Sequence, residues 1–148
     1  MIQRLEHTQE AIAKAMWEIQ VPAYEVEAEL IGFKGIPQLN ETVEDIQQSD
    51  EQFFGYFEEG LRGFISFKRE AGVIDIYRLV VNPEHFRQGI GRKLLAYLIE
   101  HYAANDFIVS TGKENVPAKK LYASFGFVEE KDFEVAPRIW CTAFRKNS

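Results

Sequence analysis

One short segment, from Asn82 to Arg92, constrains the fold of this chain more than any other. It joins an apolar, strand-like run to a helical pattern through a turn that carries Gly89 and Gly91. Glycine lacks a Cβ atom, so such a turn can be tight and a ligand can approach the main chain, while free N–H groups at the start of a helix point toward a bound anion. The segment therefore predicts an anion site, and the anion that we expect is a pyrophosphate.

The length and composition predict a globular protein. A chain of 148 residues is long enough for a core of its own, and we expect a single domain over residues 1–148. No run reaches the roughly 18 apolar residues that a membrane helix needs, and the first residues lack the pattern of a secretory leader. We therefore expect a cytoplasmic protein without a membrane partner. The single cysteine, Cys141, lies in an apolar run and predicts a packed thiol rather than a nucleophile.

The charges are divided along the chain. Residues 1–60 carry 13 Asp and Glu against 3 Lys and Arg, whereas residues 61–148 carry 10 against 14. The net charge of −6 argues against nucleic acid as a partner, since nucleic-acid binding favours a basic face. The division indicates instead that the two parts meet ligands of different charge.

The first 50 residues follow mainly helical patterns. After a strand near residues 1–6, Thr8 is predicted to cap a helix that runs to about Gln20. Pro22 is predicted to open a second helical stretch that ends at Gly32, and Thr42 begins a capping box for a short third helix.

From Glu51 onward the pattern is that of strands. The predicted order is strands at 52–58, 61–69 and 73–81, a helix at 89–103, a strand at 106–111, a helix at 116–125, and strands at 126–135 and 138–145. A strand, a helix and a strand in succession favour a parallel pair, while the flanking hairpins require antiparallel neighbours. The sequence therefore predicts a mixed α/β fold.

Two common phosphate-binding loops do not fit this chain. A dinucleotide fingerprint would place a third glycine at Leu94, and a P-loop would continue from glycine into Lys and then Ser or Thr, whereas Gly91 is followed by Arg92 and Lys93.

Two motifs between about residues 73 and 127 resemble the GNAT superfamily of N-acetyltransferases. The first is Leu79-Val80-Val81-Asn82-Pro83 followed by Phe86-Arg87-Gln88-Gly89-Ile90-Gly91, and the second is Asn115-x-x-Ala118-x-x-Leu121-Tyr122-x-x-x-Gly126-Phe127. In one departure, Phe86 stands where the family usually has Gln or Arg, and Arg87 beside it is the candidate substitute. The resemblance implies a central, mostly antiparallel sheet of about six or seven strands, with one parallel pair splayed at the cofactor site and about four flanking helices.

The same resemblance implies acetyl-CoA as cosubstrate, no metal, and roles for particular residues. The cofactor-binding residues would be Leu79, Val80, Val81, Arg87, Gln88, Gly89, Ile90, Gly91, Arg92, Asn115 and Lys119. Tyr122 would protonate the departing thiolate. For the base, the family position early in the strand corresponds to Asp75, which we expect on the same strand face as Leu79 and Val81. His85 and a water-mediated route are the alternatives.

The expected reaction is transfer of an acetyl group from acetyl-CoA to a primary amine, by direct attack in a ternary complex. The acceptor would be a small amine, an amino sugar or a peptide amine, and similar proteins are often homodimers. A cationic acceptor would be drawn to acidic residues of the first 60. The candidates to line or rim its cleft are Glu25, Glu27, Glu29, Glu41, Glu44 and Asp45. The alternatives are a non-catalytic sensor that binds acyl-CoA and a pure interaction domain.

Overall fold

A single sheet of seven strands forms the framework of the protein in the computed structural model, which describes residues 1–148. The strands are β1 (Ile2–Arg4), β2 (Gln52–Phe57), β3 (Leu61–Glu70), β4 (Val73–Val81), β5 (Asp106–Gly112), β6 (Val128–Ala136) and β7 (Ile139–Lys146). The helices are α1 (Glu10–Ile31), α2 (Val43–Gln47), α3 (Ile90–His101) and α4 (Val116–Ser124). The order across the sheet is β1-β2-β3-β4-β5-β7-β6. No helix is both long enough and apolar enough to cross a membrane.

The central strands β4 and β5 form the one parallel pair, and all other neighbours are antiparallel. Their pairing runs only from Val73 opposite Asp106 to Ile76 opposite Val109. Beyond that point β4 continues to Val81 and β5 to Gly112 without pairing to each other. The predicted mixed sheet, with one parallel pair that splays, is therefore confirmed.

A β-bulge in β4 changes which side chains face which side of the sheet. Ser66 pairs with Arg78 and Phe67 pairs with Ile76, so Tyr77 has no partner on β3. An extra residue of this kind shifts the alternation of side chains by one position. The expectation that Asp75 shares a face with Leu79 and Val81 is therefore wrong.

Helices α1 and α2 cover one face of the sheet. The core on this face combines α1 residues with Phe53, Phe64 and Val80 of the strands. The capping box of α2 is confirmed, since Asp45 N–H donates to Thr42 Oγ1 at 3.1 Å and Thr42 N–H donates to Asp45 Oδ2 at 2.8 Å.

The two predicted helices of the first segment are in fact one helix, α1. Gln9 precedes its first residue and Thr8 does not cap it, and Pro22 lies inside it. A proline within a helix removes one hydrogen bond, but buried residues recur at helical spacing on both sides of it, from Ala13 to Ala28. Burial of this continuous face stabilises the helix across the proline. The predicted end is confirmed, because Gly32 adopts a left-handed conformation with φ of 68°.

Helices α3 and α4 cover the opposite face. Ile90, Leu94, Leu95 and Leu98 form the fully buried stripe of α3, the helix predicted at 89–103. Full burial of one such side chain contributes about 1.5–3 kcal/mol. The stripe therefore fixes the start of α3 firmly against the end of β4.

Candidate functional site

A cleft of about 460 Å³ lies where β4 and β5 separate. Its walls come from α1, the segment after α1, the two splayed strands, the start of α4, and the β6–β7 hairpin. The lining residues are mostly apolar, and Glu27 and Arg78 are the only charged residues among them. A concave site of this size with few polar groups is typical of a small-molecule site.

The free edge of β4 offers main-chain groups to this cleft. Asn82 N–H donates to the carbonyl of Arg62 on the β3 side. Alternate residues of an antiparallel strand point to the same neighbour, so the main-chain groups of Leu79 and Val81 point away from β3, toward the splayed β5. Val80 instead buries its side chain in the core under α1. The arrangement allows Leu79 and Val81 to bind a ligand through the main chain.

An anion cradle lies at the head of α3. The N–H groups of the six residues from Arg87 to Arg92 donate no hydrogen bond within the chain, and the first helical bond runs from Lys93 N–H to the Gly89 carbonyl at 3.0 Å. Arg87 and Gly89 both adopt left-handed conformations, with φ of 67° and 75°. Successive N–H groups in such turns form a concave anion site, and the helix dipole adds to it.

The two glycines of this cradle serve different purposes. Gly89 needs its left-handed φ, although a Cβ atom there would meet nothing within 4 Å. Gly91 has no such need, and a Cβ atom there would lie 3.7 Å from the nearest atom of the chain, which is ordinary contact. Packing of the chain therefore does not require glycine at position 91. Close approach of a ligand does explain it, so the residues present fit a diphosphate.

Several side chains that were predicted to bind the cofactor are buried or already have partners within the chain, unlike the main-chain amides of the cradle. Ile90 is part of the core, and Gln88 and Arg87 are exposed. Arg92 donates to Ser124 Oγ at 3.0 Å, and Lys119 forms an ion pair with Glu129 at 3.3 Å. Arg87 forms no ion pair.

Tyr122 brings a phenol to the cleft from α4. Its side chain is buried, and its hydroxyl has no hydrogen-bond partner in the chain. Since no fully buried side-chain polar atom lacks a partner, this hydroxyl must open onto the cleft that Tyr122 lines. Burial, and then the nearby charge of Glu27, raise the pKa of Tyr122 well above its usual value. The phenol therefore keeps its proton at neutral pH.

Asn115 connects the second motif to α1. Its Oδ1 accepts from Ala118 N–H at 3.2 Å and caps α4, while its Nδ2 donates to Glu27 Oε1 at 3.1 Å. The helix start thus fixes the amide, and the amide orients the carboxylate. Burial raises the pKa of Glu27, and the bond from Asn115 opposes that rise.

A buried polar network around Arg78 was not predicted from the sequence. The Arg78 guanidinium donates to Glu51 and Glu41, and also to Gln20 Oε1 at 3.0 Å. Gln20 in turn donates to the Gln38 carbonyl at 3.3 Å. The network therefore attaches the segment after α1 to the centre of β4. An arginine in a strand of mainly apolar residues was the signal that could have revealed it.

The remaining predicted residues lie away from the cleft. Asp75 pairs opposite Lys68 on the α1 side of the sheet and does not line the cleft. Burial raises the pKa of Asp75, and the charge of Lys68 opposes that rise. His85 lies in a short turn before the cradle, also outside the lining.

Of the six acidic candidates, Glu27 alone lines the cleft. Glu25 and Glu29 border a separate pocket, and Glu41 belongs to the Arg78 network. Glu44 and Asp45 are exposed on α2. Only Glu27 of the six is therefore placed to meet a ligand in this cleft, and within α1 the helical spacing turns Glu25 and Glu29 to another side of the helix.

Cys141 is a partly buried member of the cleft wall rather than a core residue. Burial, followed by the charge of Glu27, raises the pKa of its thiol. The neutral thiol is a poor nucleophile. No group of three His, Cys, Asp or Glu side chains is placed to hold a metal ion.

The sequence of this chain is similar to those of known proteins. Residues 13–127 match the acetyltransferase (GNAT) family. The UPF0157 protein YqkA from Bacillus subtilis is 42% identical over 146 residues, which is 97% of this chain and 43% of YqkA. The chain therefore spans less than half the length of that relative.

Solved structures share the fold. A ribosomal-protein-alanine N-acetyltransferase from Brucella melitensis superposes with a TM-score of 0.79 at 19% identity, over 100% of this chain and 99% of that one. The PaiA N-acetyltransferase from Thermoplasma acidophilum, solved in complex with coenzyme A, has a TM-score of 0.78 at 18% identity, over 99% and 98%. With the family match extending over well more than half of its length, and with both motifs on a splayed sheet of this kind, the chain belongs to the GNAT family of acetyltransferases.

Proposed function

We propose that the protein transfers an acetyl group from acetyl-CoA to a primary amine. The observation that carries this proposal is the Tyr122 hydroxyl, a buried proton donor without a partner that opens onto the cleft between the splayed strands. The anion cradle at the head of α3 adjoins the end of β4, which forms one wall of that cleft. The site for the phosphates of an acyl donor thus adjoins the cleft that holds an acid for the leaving group.

The residues divide the work of acetyl transfer among them. Acetyl-CoA, when bound, supplies the activated acetyl group. The N–H groups of residues 87–92 would hold its diphosphate, and main-chain groups of Leu79 and Val81 would align its pantetheine arm. An N–H on the same strand would polarise the carbonyl, and Tyr122 would give its proton to the departing sulfur. Holding the reactants in one orientation lowers the entropic part of the barrier.

The proposal is tested by binding and turnover measured separately. Calorimetry with acetyl-CoA, CoA, NAD and ATP should show uptake of the two CoA species and not of the others. Thiol release with a panel of primary amines should then show acceptor-dependent turnover. Binding of CoA without turnover on any amine would favour the sensor, and no binding of CoA would overturn both readings.

A further inference from the structure

Glu27 is the only carboxylate that lines the cleft, and the role inferred for it below rests on the proposed acetyl transfer. The other charged lining residue, Arg78, already has Glu41 and Glu51 as partners. Glu27 forms no ion pair, and its one polar partner is the neutral amide of Asn115. A largely buried carboxylate without a cation is costly unless a ligand supplies one.

The walls near Glu27 are apolar. Ile31 lies one helical turn after Glu27 and so shares its helix face, and Phe33 and Ile36 extend that wall. Val135 and Ile139 of the β6–β7 hairpin line the cleft as well. These surfaces suit an apolar substituent attached to the cationic group.

The end of α1 is held tightly in this position. A Cβ atom at Gly112 would come within 2.7 Å of Ile31 Cγ2, so α1 packs directly on the end of β5. Gly35 accommodates the ring of Phe33, since a Cβ atom there would lie 2.3 Å from Phe33 Cζ. The apolar wall beside the carboxylate is thus packed closely against the sheet.

We propose that Glu27 binds the ammonium group of a small aliphatic amine with an apolar substituent and then accepts one of its protons, so that Glu27 is the general base of the reaction.

The protons then balance without any further reagent. The ammonium nitrogen gives one proton to Glu27, and its freed lone pair forms the bond to the acetyl carbon. The C–S bond breaks, and the sulfur takes the proton of Tyr122. The nitrogen returns its second proton to the Tyr122 phenolate, and Glu27 releases its proton to water. The sum is one acetylated amine, one thiol and one proton.

Among the titratable groups near Glu27, only Glu27 itself is expected to change its protonation at acid pH. They are Tyr24 from the same helix, Tyr122 from α4 and Cys141 from β7, and Arg78 from β4 faces Tyr24. The pKa values of both phenols and of the thiol are raised, with burial the largest cause in each case. These three groups therefore stay neutral, and Arg78 stays charged, where Glu27 changes its protonation.

Glu27→Gln tests the proposal, because the amide keeps an oxygen for Asn115 and removes only the charge and the basicity. With 2-phenylethylamine as acceptor, kcat/KM should fall by about 100-fold or more, the range for loss of a general base. Aniline, whose nitrogen is already neutral at pH 7, should lose much less. The acid limb of the kcat/KM profile should also disappear in the variant.

Glu25→Gln and Glu29→Gln are matched controls, since both residues are exposed on the same helix outside the cleft, and both should resemble the wild type. Calorimetry with acetyl-CoA and thermal unfolding of Glu27→Gln should match the wild type and exclude a folding defect.

If the wild type turns over and Glu27→Gln keeps its activity and its acid limb, the inference is wrong and acetyl transfer stands. If kcat/KM of Glu27→Gln fell equally with 2-phenylethylamine and with aniline, Glu27 would not be the general base. Failure of the wild type to acetylate any amine would instead count against the proposed function. A preference for peptide N-termini over small apolar amines would overturn the proposed acceptor class.

Discussion

Tyr122 and Glu27 face each other across the cleft although α4 and α1 carry them far apart in the chain. Burial is the main cause of the raised pKa of Tyr122, and the Glu27 carboxylate raises it further. A phenol that keeps its proton can donate it, so the pair places a proton donor beside a proton acceptor.

Tyr122→Phe should therefore separate binding from chemistry. We expect kcat to fall by about 100-fold or more, the usual scale for a general acid, while acetyl-CoA binding by calorimetry remains at the wild-type level. The control is Tyr56→Phe, because Tyr56 is buried in the same core cluster and lies outside the cleft. An unchanged kcat in Tyr122→Phe would show that the leaving sulfur obtains its proton elsewhere.

Gly91→Ala should have opposite effects on stability and on binding. Alanine is the better helix former by up to about 1 kcal/mol, and its Cβ atom meets only ordinary contacts in the chain. The free energy of unfolding should therefore stay equal or rise, as measured by urea denaturation. Affinity for CoA should fall by at least about tenfold, or roughly 1.4 kcal/mol, since the methyl group occupies the cradle.

Gly89→Ala provides the contrast within the same loop. Its left-handed φ makes alanine cost about 1–2 kcal/mol of stability, and CoA affinity should fall as well. Gly72, in the β3–β4 hairpin, has a φ of 81°. The variant Gly72→Ala should therefore lose similar stability, while its affinity for CoA should not change. Wild-type affinity in both Gly89→Ala and Gly91→Ala would remove the anion cradle from the proposal.

The Arg78 network predicts a dependence of stability on acid pH. Burial alone would raise the pKa of Glu51, but hydrogen bonds from Arg78, Ser66 and Ser49, together with the charge of Arg78, outweigh it and lower the pKa. A carboxyl whose pKa is lowered on folding stabilises the protein fully above its unfolded pKa, and this contribution is lost as pH falls through the folded value.

Glu51→Gln should therefore flatten the acid side of the stability curve. From about pH 5 downward the free energy of unfolding should fall less steeply than in the wild type, and at pH 7 the variant should be less stable by about 1–3 kcal/mol. Glu44→Gln, on the exposed side of α2, is the control and should follow the wild type. The same slope in wild type and Glu51→Gln would contradict the assignment.

The sequence was sufficient for features that depend on neighbouring residues. Helix α3 and the capping box at Thr42 follow from spacing and caps within one segment, and the parallel pairing of β4 with β5 follows from the strand–helix–strand order. The orientation of Asp75 could not be predicted, because the bulge at Tyr77 arises from the register between β3 and β4. A shift of one residue in register reverses every side chain beyond it.

The same limit applies to the acidic residues of the site. Composition indicated an acidic first part, but only the packing of α1 on the end of β5 selects Glu27 from the six candidates. The Arg78 network likewise joins Gln20 of α1, Ser66 of β3 and Arg78 of β4 to Glu51, which directly precedes β2, and no local pattern connects these residues.

Pro22 shows how tertiary packing overrides a strong local signal, and it yields a direct test. Because α1 continues through Pro22, the folded protein bears the cost of a missing N–H and of the ring against the preceding turn. Pro22→Ala restores the donor, and we expect a gain of about 2 kcal/mol in the free energy of unfolding, below the roughly 3 kcal/mol of a helix interior because the unfolded chain also gains entropy. Urea denaturation should show this gain, and kcat/KM should be unchanged. Val26→Ala, at an exposed position of the same helix, should change stability by less than about 0.5 kcal/mol. A loss of stability in Pro22→Ala would mean that the proline makes α1 more stable, contrary to the packing argument.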